Sequence, residues 1–259
     1  MNKQSLDWYD YPQYFELAFD DETKLEAEFF EEAFKKYCDF PVRRILEPGC
    51  GGGRLMVEMA RRGHKMTGFD SSVNSVKYLR KRISRSKLSA SVFQGDLSEF
   101  ELDQSVDAAF STFNTFRHLT SERLAESHLR HVAQSLRAGG IYILGFHLLP
   151  LDVSEECTER WSARRGKTNV SFTLRVVATD RRRRIEQIRI SMKIQTPTKQ
   201  IRLRNEFPLR MYTATQFRRL LKKIPEFQLC DVYDFWYDIE DPLTLDDEIT
   251  DTVFILRRV

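Results

Sequence analysis

Three glycines at every second position, following a carboxylate, are the residues of this sequence that most clearly indicate chemistry. Residues 45–53 read Ile-Leu-Glu-Pro-Gly-Cys-Gly-Gly-Gly, an apolar run followed by Glu47 and then by Gly49, Gly51 and Gly53. A helical pattern comes next. Glycines at a strand-to-helix turn let the backbone adopt conformations that a Cβ would forbid, and they let a ligand approach the main chain.

The spacing of these glycines separates the ligand classes. A dinucleotide fingerprint needs Gly-x-Gly-x-x-Gly, but counting from Gly49 puts Arg54 at the last position, and counting from Gly51 puts Met56 there. The phosphate loop that ends in Gly-Lys-Ser/Thr is also missing. A carboxylate at Glu47 would repel a pyrophosphate and attract a cation. The turn therefore predicts a cationic ligand that carries no phosphate.

Two further carboxylates follow the next two predicted strands. The strand at 65–69 ends in Asp70, at the distance from the glycine turn where an acidic residue accepts hydrogen bonds from a ribose diol. A third strand, 91–94, runs into Asp96, which could accept a hydrogen bond from an exocyclic amine such as that of adenine.

These three features in this order resemble the class I S-adenosylmethionine-dependent methyltransferases, over roughly residues 40 to 150. The resemblance implies that the three glycines bind the methionine part of S-adenosyl-L-methionine, Asp70 the ribose and Asp96 the adenine. S-adenosyl-L-homocysteine would be the product. The other residues that we expect at the cofactor are Tyr14, Glu47, Ser71, Leu97, Phe113 and Asn114.

Composition limits the class of protein. The chain has 259 residues, 31% of them charged, and a net charge of +3, which is ordinary for a protein with one core and a small appended subdomain. The apolar run at 141–151 is too short to cross a bilayer, and the N-terminus does not have the pattern of a secretory signal. We therefore expect a cytoplasmic protein with free thiols. No pair of its cysteines has metal-ligand spacing, and these are Cys38, Cys50, Cys157 and Cys230.

Strand and helix patterns alternate through the first half of the chain, which predicts an α/β fold with helices on both faces of a parallel sheet. The resemblance makes this a Rossmann-like seven-stranded methyltransferase sheet whose last strand is antiparallel. Apolar residues then recur at every second position in three runs, 170–178, 188–194 and 201–203, as in an antiparallel meander. We predict a lid at 1–40 (an aromatic segment and a helix), a cofactor-binding core at 41–159, an inserted β cap at 160–208, and the rest of the core at 209–259.

Helix starts are marked by two predicted capping boxes, Thr23 with Glu26 and Thr213 with Gln216. The first precedes a helix whose buried side we predict to include Leu25. The helix after the second strand is predicted to bury an apolar stripe that begins at Val73.

The aromatic N-terminal segment and the meander narrow the resemblance to small-molecule N-methyltransferases, including the glycine and amino-sugar enzymes. In those enzymes the N-terminal residues and the β insert close over the active site. The resemblance implies methyl transfer by in-line displacement to a small molecule. Nitrogen is the expected acceptor atom, and oxygen is the second choice. A general base is needed only if the acceptor arrives protonated.

Candidate catalytic and substrate residues lie on the expected rim of the sheet. His118 and His147 follow strands four and five, and either could deprotonate an amine or hydroxyl near neutral pH. The alternative for each is a loop histidine bonded to a backbone carbonyl. Tyr11 in the aromatic segment, and Arg210 and Tyr212 where the cap rejoins the core, are candidate substrate contacts.

Two other functions compete with this prediction. The run Arg181 to Arg184 could bind RNA or another polyanion, but it lies at a predicted hairpin turn and no aromatic residues interleave it to stack bases. Nucleic acid is therefore not our expected partner. A catalytically silent cofactor-binding module is the other alternative, and the intact Glu47, Asp70 and Asp96 argue for binding without showing turnover.

Overall fold

The structure is a computed structural model that describes residues 8–17, 19, 22–149 and 157–259. Residues 1–7 of the predicted lid and 150–156 of the predicted core lie outside these ranges. A 3-10 turn at Trp8–Asp10 begins the described chain. The helices are α1 (Pro12–Leu17), α2 (Thr23–Tyr37), α3 (Arg54–Arg61), α4 (Val73–Ser86), α5 (Glu122–Ser135) and α6 (Ala214–Leu221). The strands are β1 (Arg44–Pro48), β2 (Lys65–Asp70), β3 (Ala90–Gln94), β4 (Val106–Ser111), β5 (Leu136–His147), β6 (Thr158–Arg165), β7 (Thr168–Asp180), β8 (Ile185–Gln195), β9 (Gln200–Arg210), β10 (Phe227–Tyr233) and β11 (Asp251–Arg258).

Seven strands form the central sheet, in the order β3-β2-β1-β4-β5-β11-β10. The pairs among β1 to β5 are parallel, whereas β11 is antiparallel to both of its neighbours, β5 and β10. The predicted α/β fold with an antiparallel last strand is confirmed. Because β1, β2 and β4 are adjacent and parallel, the loops that follow them meet at one edge of the sheet.

Helices cover both faces of this sheet. On one face α5 and α6 pack around Tyr142 and Phe217, and on the other α2, α3 and α4 pack around Phe30, Phe110 and Leu79. The rings of Phe30 and Phe110 lie 4.7 Å apart. Within the described ranges, no helix combines the length and the apolar character needed to span a bilayer.

A second, four-stranded antiparallel sheet, β6-β7-β8-β9, forms what we call the cap sheet. It contains the three predicted strands and a fourth, β6, which the sequence did not indicate because its residues are mostly polar and exposed. One face of the cap sheet buries Phe172, Ile190 and Met192, and Trp8 and Leu17 of the N-terminal segment pack into the same cluster. The aromatic segment is partly helical and lies against the cap.

Only one of the two predicted capping boxes forms. The Thr213 hydroxyl accepts from the Gln216 backbone N–H at 3.2 Å, and the Gln216 side-chain oxygen accepts from the Thr213 N–H at 3.1 Å. The box at Thr23 is wrong, because Glu26 is fully buried and pairs with Arg54 at 2.6 Å instead of folding back onto the helix start. A buried cation competes with the local backbone for the same carboxylate.

The predicted buried stripes of α2 and α4 begin too early. Leu25 is 45% exposed and Val73 is 43% exposed, whereas Val76 and Leu79 further along α4 are buried as predicted. Both exposed residues lie in the first turn of their helices. The period of a sequence identifies which side of a helix is apolar, but not where along the helix the packing starts.

Candidate active site

The glycine turn joins β1 to α3 with three residues in the left-handed region. The φ angles of Gly49, Gly51 and Gly53 are +67°, +52° and +82°. A Cβ on Gly49 would lie 2.5 Å from the Thr115 methyl, and a Cβ on Gly53 would overlap the Leu79 side chain, so both glycines are needed for packing. A Cβ on Gly51 would meet nothing within 4 Å. The backbone at Gly51 is therefore open to a ligand.

Asp70 fixes the conformation of this turn. Its Oδ2 accepts from the Gly51 N–H at 2.8 Å, and its Oδ1 accepts from the Ser72 N–H at 2.8 Å. Burial raises the pKa of Asp70, and the two backbone donors oppose that shift. A carboxylate has about four lone-pair positions. Asp70 can therefore accept hydrogen bonds from a ribose diol as well.

Glu47 supplies the second carboxylate of the site. Its side chain is buried, with 8% of the residue exposed, and among the described residues its Oε2 has no hydrogen-bond partner. Burial raises the pKa of Glu47 well above its usual range, while the nearby Arg54 opposes the shift. Buried polar atoms are normally paired, and leaving one unpaired is costly. An ammonium group of a ligand would satisfy this oxygen.

A cavity of about 260 Å³ extends from the glycine turn to the cap sheet. Its core end is lined by Glu47, the glycine turn, Asp70 and the loop after β4, which includes Phe113 and Asn114. Its cap end is lined mostly by apolar side chains, namely Trp161, Leu174, Ile188, Ile190, Phe207 and Leu209. The N-terminal segment closes it with Trp8, Tyr9, Pro12, Phe15, Glu16 and Phe19.

An ion pair holds α1 on the glycine turn. Both carboxylate oxygens of Glu16 accept from Arg82 Nη1, at 2.5 and 2.6 Å, and the same nitrogen donates to the Gly52 carbonyl at 2.8 Å. A Cβ on Gly52 would lie 2.5 Å from Glu16 Oε1. Glycine at this position thus allows the N-terminal segment to lie directly over the turn.

His118 is enclosed by the cap and the N-terminal segment. Its Nε2 lies 3.1 Å from the Tyr9 hydroxyl, and its ring stacks on Phe207 with centroids 5.2 Å apart. Burial, assisted by the cation of Arg117, lowers the pKa of His118 to about 4. The imidazole is therefore neutral at pH 7 and available as a hydrogen-bond partner or proton acceptor.

His147 forms a pair with a carboxylate at the rim of the cavity. Its Nδ1 lies 2.7 Å from Asp251 Oδ1, and its backbone N–H donates to Asn114 Oδ1 at 2.9 Å. The side chains of His147 and Asp251 are 42% and 48% exposed. A carboxylate on one ring nitrogen orients the other as a proton acceptor, the arrangement used by general bases. Among the described residues, neither of the two predicted histidine rings is bonded to a backbone carbonyl.

Seven of the predicted site residues do not line the cavity. They are Tyr11, Tyr14, Ser71, Asp96, Leu97, Arg210 and Tyr212. The first two stack on each other, 6.2 Å apart, and pack against the cap cluster. Ser71 is exposed, and its carbonyl accepts from Gln94 Nε2 at 3.3 Å.

Asp96 is exposed, and its Oδ1 accepts from both the N–H and the hydroxyl of Ser98, at 2.7 and 2.6 Å. Leu97 packs against the core cluster beside Gly49. Arg210 is buried, donates to the Thr120 carbonyl at 3.0 Å and lies over the Tyr212 ring. These two residues are therefore part of the structure that joins cap and core.

Arg117 and Glu186 make that joint and were not predicted. The two buried side chains form an ion pair, and Arg117 Nε donates to the Arg210 carbonyl at 2.8 Å. Glu186 occupies the buried side of β8, in line with the apolar residues that follow it. The sequence did carry a signal for Glu186, namely a charged residue within a run that is apolar at every second position. Asp251 was missed as well, because only the antiparallel register of β11 with β5 places it opposite His147.

Comparison with known proteins identifies the core. Residues 45–140 match the model of a methyltransferase domain. The curated "Putative methyltransferase" of Geobacillus sp. (strain WCH70) is 25% identical over 119 residues, which are 46% of this chain and 48% of that protein. The chain thus matches about half the length of that curated relative.

Solved structures match almost the whole chain. DesVI of Streptomyces venezuelae superposes with a TM-score of 0.79 and 15% identity, covering 98% of this chain and 99% of that one. The sugar N-methyltransferase KedS8 of Streptoalloteichus sp. gives a TM-score of 0.72 and 14% identity, covering 91% and 87%. The amino pentose methyltransferase CalS10 of Micromonospora echinaspora, solved with S-adenosylmethionine, gives 0.70 and 16%, covering 93% and 92%. At these sequence identities the similarity shows the fold alone. The matched residues include residues of the cap sheet.

The predicted methyltransferase domain is confirmed over residues 45–140. The chain carries a methyltransferase domain in the Rossmann-like fold of S-adenosylmethionine-dependent methyltransferases.

Proposed function

With this methyltransferase domain as the premise, we propose that the protein transfers a methyl group from S-adenosylmethionine to a small molecule, with nitrogen as the preferred acceptor. The observation that carries the proposal is the buried Oε2 of Glu47, which has no hydrogen-bond partner among the described residues and belongs to the same cavity lining as the open backbone of Gly51. A pocket lined by the carboxylates of Glu47 and Asp70 suits the ammonium and sulfonium groups of that cofactor. The same cavity continues to the cap sheet, where an acceptor can lie in line with the methyl group.

The cofactor, when bound, supplies a methyl group already activated by its sulfonium. Glu47 would hold the ammonium of the methionine part and Asp70 the ribose diol, while the glycine turn admits both to the main chain. The N-terminal segment and the cap sheet exclude water. The acceptor lone pair forms the new bond to the methyl carbon as the carbon–sulfur bond breaks, so the acceptor nitrogen gains the positive charge.

Two histidines have separate roles in this proposal. The methylated nitrogen sheds a proton, and the His147–Asp251 pair at the rim is placed to take it and pass it to solvent. His118 is neutral and held by Tyr9, so it would orient the acceptor by a hydrogen bond inside the cavity. Support for nitrogen as the acceptor comes from the names of KedS8 and CalS10, which act on a sugar nitrogen and on an amino pentose.

A polyanionic substrate has less support. Two of the four arginines in the run at 181–184 are engaged with acids: Arg184 pairs with Glu122 at 2.6 Å and Arg183 with Asp180 at 3.7 Å. The run lies at the β7–β8 turn. We also propose that the protein works in the cytoplasm, since its four cysteines are free thiols.

Calorimetric titration tests the proposal. The wild-type protein should bind S-adenosylmethionine and S-adenosylhomocysteine, and Glu47→Gln should weaken both by at least about tenfold, because it removes the charge-assisted hydrogen bond to the ammonium. Glu58→Gln is the matched control, since Glu58 pairs with Arg62 at 3.0 Å on α3 and does not line the cavity. Absence of binding, or equal affinity in Glu47→Gln, would contradict the proposal.

A further inference from the structure

The lining of the cap end indicates what kind of acceptor the site takes. Resting on the proposed methyl transfer, we infer that the acceptor is an amine with an apolar, ring-bearing body, at least one oxygen that accepts a hydrogen bond, and no phosphate. Three independent features of the cavity carry this inference: its apolar surface, its charge, and two indole N–H groups that have no acceptor among the described residues.

Aromatic and branched side chains make the walls of the cap end. Trp8 stacks on Phe207 with centroids 5.9 Å apart and planes at 5°, and Phe19 lies 6.0 Å from Trp161. Leu174, Ile188 and Ile190 complete this surface. Such walls favour a ligand whose rings or alkyl groups replace water, and they offer few partners to a polyhydroxylated one.

The charge of the cavity opposes phosphate. Among the described lining residues, Arg54 is the one lysine or arginine, and it is 2.6 Å from Glu26 and 5.1 Å from the Phe113 ring. Four carboxylates line the same cavity, at Glu16, Glu47, Asp70 and Glu159. Phosphate sites are built from arginine, lysine and backbone N–H groups. A phosphorylated acceptor would face four carboxylates and one arginine that is already paired with Glu26.

The basic residues of β8 do not change this balance, because they alternate with the residues that line the cavity. On β8 the buried positions Ile188, Ile190 and Met192 alternate with Arg189 and Lys193. The period of a strand is two, so alternating residues lie on opposite faces of the sheet. Arg189 is further engaged with Glu206 at 2.6 Å. Strand β8 thus turns its apolar face to the cavity.

Two of the residues that line the cavity carry buried indole N–H donors. The Nε1 atoms of Trp8 and Trp161 are buried and have no hydrogen-bond partner among the described residues, and both rings line the cavity. Trp8 as a whole is only 4% exposed. A buried indole N–H usually finds an acceptor. A hydroxyl, ether or carbonyl oxygen on the substrate would supply it, and this fixes the orientation of the amine.

Matched pairs of amines test the inference by calorimetry, using the full chain saturated with S-adenosylhomocysteine. One pair is tyramine and tyramine O-phosphate; the other is an amino sugar as its 4-nitrophenyl glycoside and as its nucleoside diphosphate conjugate. We expect the unphosphorylated member of each pair to bind at least about tenfold more tightly. Equal or tighter binding of the phosphorylated member, or no binding by any of the four, would overturn the inference.

Substitution of the indole sharpens the test. Trp161→Phe keeps an aromatic ring and removes the N–H, so it should weaken tyramine by about five- to tenfold and phenethylamine, which has no oxygen, by less than about twofold. Trp236→Phe is the control, since Trp236 is 81% exposed and does not line the cavity. Equal losses for both amines in Trp161→Phe would overturn the oxygen requirement.

The design separates this inference from the function on which it rests. A chain that does not bind S-adenosylhomocysteine at all contradicts the proposed methyl transfer. A chain that binds it and then prefers the phosphorylated amines contradicts only the acceptor class.

Discussion

The core end and the cap end of the cavity differ in the kind of contact that each offers. The core end presents carboxylates and open backbone, as at Glu47, Gly51 and Asp70. The cap end presents aromatic walls and two indole N–H groups that find no acceptor within the described part of the chain. One end is built to hold a charged ligand at defined atoms, and the other to enclose an apolar body.

The two ends of the cavity are built from different parts of the chain. The elements that form the core end are consecutive in sequence, so its polar groups lie at or just after the ends of three strands. The cap end is assembled from β6 to β9 and the N-terminal segment, which come together only in the folded chain. The cofactor site can therefore stay constant while the acceptor site changes with the cap.

Breaking the Arg117–Glu186 ion pair, which connects the core to the cap sheet, should have the largest effect on stability. Arg117→Met leaves the carboxylate of Glu186 buried without its cation, and we expect the free energy of unfolding to fall by about 3–5 kcal/mol. Urea denaturation followed by circular dichroism measures it. Arg189→Met, which breaks the more exposed pair with Glu206 inside the cap, should cost less than about 1 kcal/mol. Similar losses in the two variants would show that Arg117 is not the joint.

At the core end, Asp70→Ala should have the next largest effect. The change removes the carboxylate that we propose as the acceptor for the ribose, and it releases the Gly51 N–H that holds the turn. Affinity for S-adenosylhomocysteine should fall by about 2–3 kcal/mol, or roughly 30- to 150-fold, in a calorimetric titration.

Asp96→Ala is the matched test of the predicted adenine contact. Asp96 is exposed and already bonded to Ser98, so we expect less than about a threefold loss of affinity. A loss as large as that of Asp70→Ala would support the adenine role predicted from the sequence.

The core end could be predicted because its signals are local. Gly49, Gly51 and Gly53 need left-handed backbone, and a strand that ends in Asp70 must place that carboxylate beside the turn if β1 and β2 are parallel neighbours. The box at Thr213 formed for the same reason, since it uses contacts within one helical turn.

The cap end could not be predicted to the same depth. The sequence prediction names Tyr11 and Tyr14, but Trp8 and Phe15 of the same aromatic segment line the cavity instead, because the packing of a short helix sets which of its sides faces inward. Long-range pairs are likewise invisible to local patterns. Asp251 becomes the partner of His147 only through the antiparallel β5–β11 register.

The pH dependence of stability tests whether the cap buries His118 without a substrate. Its pKa of about 4 in the folded protein lies below the ordinary value of 6.5. Below pH 6.5 the unfolded chain gains a proton that the folded chain does not, so stability falls as the pH drops from 6.5 towards 4. His118 should account for about 1–2 kcal/mol of the loss between pH 8 and pH 5.

Urea denaturation of the wild type and of His118→Asn at several pH values measures this share. The variant should lose less stability than the wild type over the same range, with His128, whose pKa burial also lowers to about 4, still contributing. Parallel pH profiles in the two proteins would mean that the cap stands open in the free enzyme.

The smallest effect should come from the contact that holds α1 over the glycine turn. Arg82→Met removes the donor to both Glu16 and the Gly52 carbonyl, so the N-terminal segment should open more often. Because the pair is partly exposed, we expect S-adenosylhomocysteine to dissociate only about three- to fivefold faster in stopped-flow experiments. Arg62→Met, which breaks pairs with Glu31 and Glu58 away from the cavity, should leave that rate unchanged. Equal rates in all three proteins would mean that the core end retains its ligand without the N-terminal segment, and that this segment serves the cap end alone.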